Sequence, residues 1–380
     1  MKPAHFSIPV FAIRTGGRLT VTLPAVLACC LLIAFPASAQ KKPKPKKEEI
    51  TQTLQVPKDL PNAVAADTRQ LTFHVTPLSA RGLLSAQIRD ALKALTKETG
   101  GNPVLKIRAF VAGSGDLRRV RDIVSEVFTE RKLPLPVLSL VQAGGLPMEG
   151  AQVVLEAIAS NKKEVNPRGL VFLAAAPATS DNPLDPIEPL AAKSLEQLKS
   201  VLREARSEPG GVVRLTCFLS TLENLAAVRK LVEADFPRTA VNYVQTQRTP
   251  FRAVAACEAV ARLTWDPGKP VVLQPDSGDP RAALISAHHL VLTGSQVSFG
   301  YQEANSRLAF ERLAKVLEAN GISGKNVAFA HFYPLAEPLA AQVRKLRTDF
   351  FAASPTTLLI FEGLPGLDAG FAMDVVAVKP

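Results

Sequence analysis

Apolar positions along residues 66–380 alternate between a period of two and a period near 3.6, the marks of half-buried strands and amphipathic helices. Val104–Val111 reads as a strand. After the turn Gly113-Ser114-Gly115-Asp116, the residues Leu117, Val120, Arg121 and Phe128 fall at helical spacing. Shifting Phe110 and these four by 108 positions lands on Phe218, Leu225, Val228, Arg229 and Phe236, behind a second strand at Val213–Leu219. A third, fainter copy has the strand Val327–Phe332 and Val343-Arg344-Lys345-Leu346 against Val228-Arg229-Lys230-Leu231. Ahead of each strand runs another helical pattern: Leu84, Ile88, Ala91, Leu92 and Leu95; Leu195, Leu198, Val201 and Leu202; Phe310, Leu313, Val316 and Leu317. Each copy closes with two strands about a proline: Val137–Val141 and Val153–Ala159 about Pro147, Ala240–Val244 and Val254–Ala261 about Pro250, Thr357–Phe361 and Ala372–Val378 about Pro365.

This order mixes hairpins with crossovers, so the expected class is α+β and not doubly wound. The units are placed at 66–165, 166–265 and 266–380, each a mixed sheet with two helices on one face. The other face of such a sheet is apolar and must be covered. Three of them covering one another within one chain would make an intramolecular pseudo-trimer, expected to be a monomer in solution.

Composition changes the picture mainly at the N-terminus. The 380 residues are 47% hydrophobic and 21% charged, which excludes a disordered chain. Lys2, Arg14 and Arg18 precede an apolar run over Leu19–Phe35, and Pro36-Ala37-Ser38-Ala39 supplies an A-x-A cleavage site. This reads as a secretory signal peptide over 1–39, an uncleaved anchor being the alternative, so the protein is expected to be exported to the periplasm or beyond the cell. Residues 40–65 begin with Lys41-Lys42-Pro43-Lys44-Pro45-Lys46-Lys47, a self-repelling tail expected to be disordered. It is a spacer or a contact for anionic envelope surface. These two segments carry much of the formal net charge of +11; the remainder is about +5, with no basic stripe suited to nucleic acid. Removing the signal leaves Cys217 and Cys257, open to one disulfide or to two buried thiols.

The repeated unit resembles the RidA/YjgF reactive-intermediate deaminase family, also labelled endoribonuclease L-PSP. The resemblance rests on Leu290-Val291-Leu292-Thr293-Gly294-Ser295-Gln296, on the strands ending at Phe110 and Phe218, and on Leu146-Pro147 followed by Leu155-Glu156-Ala157-Ile158-Ala159. The second copy closes with Cys257-Glu258-Ala259-Val260-Ala261 and the third with Asp374-Val375-Val376-Ala377. The resemblance implies a trimeric arrangement with clefts between units, where an Arg grips the substrate carboxylate and a Glu handles proton and water chemistry on 2-imino or enamine acids. It implies no cofactor. Here the Arg position falls on Leu138, Val241 and Thr356, and the Glu position on Val154, Ala256 and Ala372, so neither group is kept in any copy.

Two residues further along, Glu156, Glu258 and Asp374 keep an acid on the face of the lost Glu. These are the candidate catalytic residues. Gln142, Gln245 and Tyr243 share the face of the lost Arg and, with Thr356, are the candidate ligand-binding residues for a small imine- or enamine-like, amide-like or hydroxylated compound. Two readings stay open: a rearranged hydrolase using Glu258 or Glu156 with Tyr243 and Gln245, or a degenerate protein that binds a small molecule or a protein in the envelope. In the second, the acids and glutamines satisfy hydrogen bonds between repeats. The histidines His74, His288, His289 and His331 have no metal-ligand spacing. Arg118, Arg119 and Arg121 read as a solvated helix face, and Arg248 and Arg252 flank the Pro250 turn within reach of a cleft.

Overall fold

Each predicted helix has its apolar stripe against a sheet, and each predicted strand has found a partner, in three successive rounds of the same order. The computed structural model describes residues 57–379 except Ser114 and Ala352. The expected signal peptide and residues 40–56 of the tail lie outside the described residues. A leading strand β1 (Ala63–Ala66) precedes the first unit: β2 (Leu71–Val75), α1 (Leu84–Glu98), β3 (Val104–Ala112), α2 (Leu117–Glu130), β4 (Val137–Ala143) and β5 (Val153–Ser160). The second comprises β6 (Leu170–Leu173), β7 (Ala178–Ser180), α3 (Ile187–Glu204), β8 (Val212–Leu219), α4 (Leu225–Asp235), β9 (Ala240–Gln245) and β10 (Ala253–Arg262). A hairpin, β11 (Val271–Leu273) and β12 (Ala282–Ile285), leads to the third: β13 (Leu290–Thr293), β14 (Gln296–Phe299), α5 (Glu303–Glu318), β15 (Val327–Pro334), α6 (Glu337–Phe350), β16 (Thr356–Leu358) and β17 (Ala369–Val378).

The sheets run β2-β5-β3-β4, β6-β10-β8-β9 and β13-β17-β15-β16. In every case the last strand of the unit lies antiparallel between the first and the third, and the fourth joins the third in parallel. The parallel pairing requires a crossover, which α2, α4 and α6 provide. The class is therefore α+β, as expected. Asp116 starts α2 by accepting the Arg118 N–H at 2.9 Å, and α1 stops where Gly100 and Gly101 take positive φ.

Backbone pairing stitches the units together at one end. β1 adds to the third unit's sheet through β13, with Ala63 opposite Thr293, and β12 adds to the second unit's sheet through β6. Where the first unit passes into the second, the Val165 and Asn166 N–H groups donate to the Arg69 carbonyl at 2.8 and 2.9 Å. Residues 63–65, assigned to the tail from sequence, are thus part of a strand. Its partner lies at the far end of the chain, so nothing local announces the pairing.

One face of each sheet buries its own helices. Ile88, Leu92, Leu95 and Val120 fill the first such core, Leu195, Leu198, Leu202 and Val228 the second, and Phe310, Leu313, Val343 and Leu346 the third. The opposite faces meet. At one end Leu71, Phe73, Phe172, Leu290, Phe329 and Val376 pack together; at the other, Phe110, Phe218 and Phe361, one from each unit, form a triangle with ring centroids 5.7–6.0 Å apart. All three rings are buried, each stabilising the assembly by roughly 1.5–3 kcal/mol.

Cys217 and Cys257 stand opposite each other on β8 and β10, with Cα atoms 4.1 Å apart, and are joined by a disulfide. No helix among the described residues is long and apolar enough to cross a membrane.

Candidate functional site

Between the two apolar plugs lies a layer of charge. Strand alternation puts Lys106, Arg108 and Phe110 of β3 on the face that meets the other units. Arg214, Thr216 and Phe218 of β8 occupy the same places in the second unit, as do Phe329, His331 and Tyr333 of β15 in the third. The register sets Arg108 opposite Glu156, Thr216 opposite Glu258 and His331 opposite Asp374. All three acids are buried, and so are Lys106, Arg108, Arg214 and His331.

Every acid is held by a neighbouring unit. Glu156 of the first unit accepts from Thr216 Oγ1 and Asn242 Nδ2 of the second, each at 2.7 Å, and from its own unit's Arg108 Nε at 2.9 Å. Glu258 of the second accepts from Arg108 of the first at 2.5 Å and Arg214 of its own unit at 3.1 Å, and lies 3.2 Å from the third unit's His331 Nε2. Asp374 of the third pairs with Lys106 and accepts from Ser139 Oγ at 2.8 Å, both of the first unit, while Tyr333 Oη donates to it at 2.8 Å. First to second, second to third and third to first: the contacts run in a closed cycle. The Arg108 guanidinium also caps the aromatic triangle, 5.1 Å from the Phe110 ring centre and 5.7 Å from that of Phe218.

Burial opposes ionisation of all three carboxyls, but the cations prevail. Arg108 and His331 hold Glu258 well below the usual carboxylate range, Lys106 and His331 do so for Asp374, and Arg108 with Arg214 lowers Glu156. Burial, reinforced by the Asp374 charge, pushes the Tyr333 hydroxyl well above its ordinary value, so it stays a proton donor. Because folding depresses these carboxyl pKa values, the stability they contribute is complete above the unfolded range and is lost as pH falls through it towards the folded values. The urea midpoint should therefore hold level from about pH 7 to about pH 5 and drop steadily below about pH 4. A midpoint unchanged down to about pH 3 would contradict the pairing.

The candidate catalytic acids are thus brought together, but not in an open cleft as the sequence suggested. The space beside them measures about 20 Å³ and is lined by Lys106, Arg108, Glu156, Arg214 and His331 together with apolar residues. That is room for about one water molecule. Nor do the candidate binding residues join them. Tyr243 faces the opposite side of its sheet and packs among the second unit's helices, its ring 5.7 Å from the Arg229 guanidinium; burial pushes its hydroxyl up to about 12. Gln142 and Gln245 end β4 and β9. Their side chains donate to the carbonyls of Gly113 at 2.6 Å and Ser220 at 3.1 Å, and their backbones bridge to neighbouring units.

At the positions of the family's Arg, Leu138 is covered by the Gly294-Ser295 turn, whose Ser295 N–H donates to the Leu138 carbonyl at 3.0 Å. Val241 is half-buried on its own helices. Thr356 alone of the three lines an open groove, which runs between the second and third units in two adjoining parts of about 310 and 390 Å³. Arg252 borders the same groove, whereas Arg248 lies 3.6 Å from Glu362.

Sequence reasoning missed Lys106, Arg108, Arg214, Ser139, Thr216, Asn242 and Tyr333, and took His331 as isolated. The available signal was the charge at alternate positions inside otherwise apolar strands, since Lys106 and Arg108 could stay buried only if paired. No group of His, Cys, Asp and Glu suited to a metal ion occurs among the described residues.

No protein-family model matches the chain, and no curated protein does. Among solved structures it is similar to Rv2704 of Mycobacterium tuberculosis, a member of the YjgF/YER057c/UK114 family (18% identity, 29% of this chain and 99% of that one, TM-score 0.23). A second example is the Rid protein YyfB of Yersinia pestis (23% identity, 27% and 83% covered, TM-score 0.22), and a third is TdcF of E. coli with bound serine (15% identity, 24% and 81% covered, TM-score 0.23). Each match thus spans only about a quarter of this chain.

Proposed function

We propose that this chain is an exported, monomeric protein of three tandem Rid-like units that has given up imine hydrolysis and works by binding. The observation that carries the reading is the fate of the acids. Glu258 and Asp374 are tied to cations of an adjoining unit, and Glu156 to Arg108 of its own unit and to Thr216 and Asn242 of the next, beside a space too small for any substrate. A general acid or base must come within hydrogen-bond reach of the proton it moves, and a group locked in this way cannot. Apolar Leu138 and Val241 offer a carboxylate nothing, and Thr356 offers a hydroxyl without charge. The A-x-A signal and the Cys217–Cys257 disulfide both suit an oxidising compartment outside the cytoplasm. For the ligand, the reading favours the groove between the second and third units.

The test is to generate 2-iminobutanoate in situ and follow its hydrolysis with and without the mature protein. The expected rate is that of buffer alone. Acceleration by wild type that disappears in Glu258→Gln would establish the rearranged-hydrolase reading instead.

A further inference from the structure

The three seams between units are not alike, and the difference specifies a ligand chemistry. At the seam of the first and third units, the Gln142 N–H donates to the Gly363 carbonyl at 2.8 Å and the Glu362 N–H to the Gln142 carbonyl at 3.1 Å. At the seam of the second and first, the Gln245 N–H donates to Gly145 at 3.0 Å and the Gly144 N–H to Gln245 at 2.8 Å. Each is a reciprocal antiparallel bridge between a strand-end glutamine and a glycine three positions beyond the equivalent strand end. The approach is close: a Cβ on Gly145 would fall 2.7 Å from the flexible end of the Gln245 side chain, and one on Gly363 would meet the end of the Gln142 side chain.

The same offsets at the third seam make Ile360, two residues beyond β16, the equivalent of the glutamines, and Gln247 and Arg248 the equivalents of the residues they bridge to. An isoleucine and an arginine stand where the other seams have glutamine and glycine, and the Arg248 N–H donates to the Glu362 carboxylate at 2.9 Å in place of a backbone bridge. Among the described residues, the Ile360 N–H and C=O, the Gln247 N–H and the Arg248 C=O have no hydrogen-bond partner of this kind. Ile360 and Gln247 instead line the groove of about 390 Å³, whose walls also include Thr179, Ser220, Leu335 and Arg344.

We propose that this open seam binds a short extended peptide, whose amide groups make with Ile360 and Gln247 the bridge that the other two seams make internally. This is strand addition across a gap: main-chain hydrogen bonds supply the recognition, and the apolar floor of Leu335, Leu358 and Leu359 takes alternate side chains. The inference rests on the binding reading above and names the ligand of the same groove.

The experiment uses the mature protein and the probe acetyl-Val-Thr-Val-Thr-amide, with a second probe of the same sequence methylated on its central amide nitrogens. Saturable binding is expected, with backbone amide NMR shifts centred on Ile360, Gln247 and Thr246. Affinity should fall at least about tenfold for the methylated probe, which keeps the side chains but loses the donors. Thr179→Trp, an exposed position on the groove wall, should block binding while leaving the rest of the spectrum intact. No saturable binding, equal affinity for both probes, or shifts centred away from this seam would overturn the proposal. None of these outcomes bears on imine hydrolysis, so the binding reading stands or falls separately.

Discussion

Replacing Glu258 with glutamine should lower the unfolding free energy by roughly 3–5 kcal/mol, the usual consequence of removing one partner from a buried ion pair. Glu258 is the one of the three acids reached by side chains of all three units: Arg108 of the first at 2.5 Å, Arg214 of the second at 3.1 Å and His331 of the third at 3.2 Å. The substitution barely changes volume, so cavity formation contributes little. What remains is the desolvation of Arg108 and Arg214, whose charges then share Glu156 alone. Urea unfolding at neutral pH checks this, and a loss below about 1 kcal/mol would show that the carboxylate is not needed to hold the cations. Replacing a whole set of paired groups by apolar residues of similar volume is a different experiment and often costs little. The acids are therefore expected to matter through what their absence exposes.

The second large effect should come from the disulfide. The double substitution Cys217→Ala with Cys257→Ala is expected to lower stability by about 3 kcal/mol, because the bond closes a loop of 40 residues in the unfolded chain. Both sulfurs are buried under the helices of the second unit, so a thiol reductant should leave the native protein intact and act only once the chain opens. Urea melts of the oxidised protein, with and without the substitutions, give the difference. A change under about 1 kcal/mol would mean that packing alone fixes β8 against β10.

How far the site could be read from the residues depended on whether a feature was local. The equivalence of Glu156, Glu258 and Asp374 followed from the closing segments Glu156-Ala157-Ile158-Ala159, Glu258-Ala259-Val260-Ala261 and Asp374-Val375-Val376-Ala377, and strand pairing sets the three in matching places. The rearranged-hydrolase reading groups Tyr243 and Gln245 with Glu258 as parts of one site, whereas Tyr243 lies on the opposite face of its sheet. Parity cannot say which face meets a neighbouring unit, so Tyr243 appeared available to a cleft when it is packed under helices. The counter-charges were harder still. Lys106 meets Asp374 across 268 residues of sequence and Arg108 meets Glu258 across 150, and no periodicity announces such a partner. β1 escaped notice for the same reason. The asymmetry of the seams was written in the chain as Gln142 with Gly363 and Gln245 with Gly145, against Ile360 with Arg248, but only the folded order says which residue faces which.

The central claim is that the three acids join the units to one another. The most direct measurement is a double-mutant cycle on unfolding free energy between Arg108 of the first unit and Glu258 of the second, using Arg108→Met, Glu258→Gln and the pair. Coupled residues in one buried network depart from additivity, and the expected interaction energy is about 2 kcal/mol or more, the double variant being less damaged than the sum of the single ones. Effects that add within about 0.5 kcal/mol would show the two side chains to be independent, and the ionic layer would no longer account for the union of the three units.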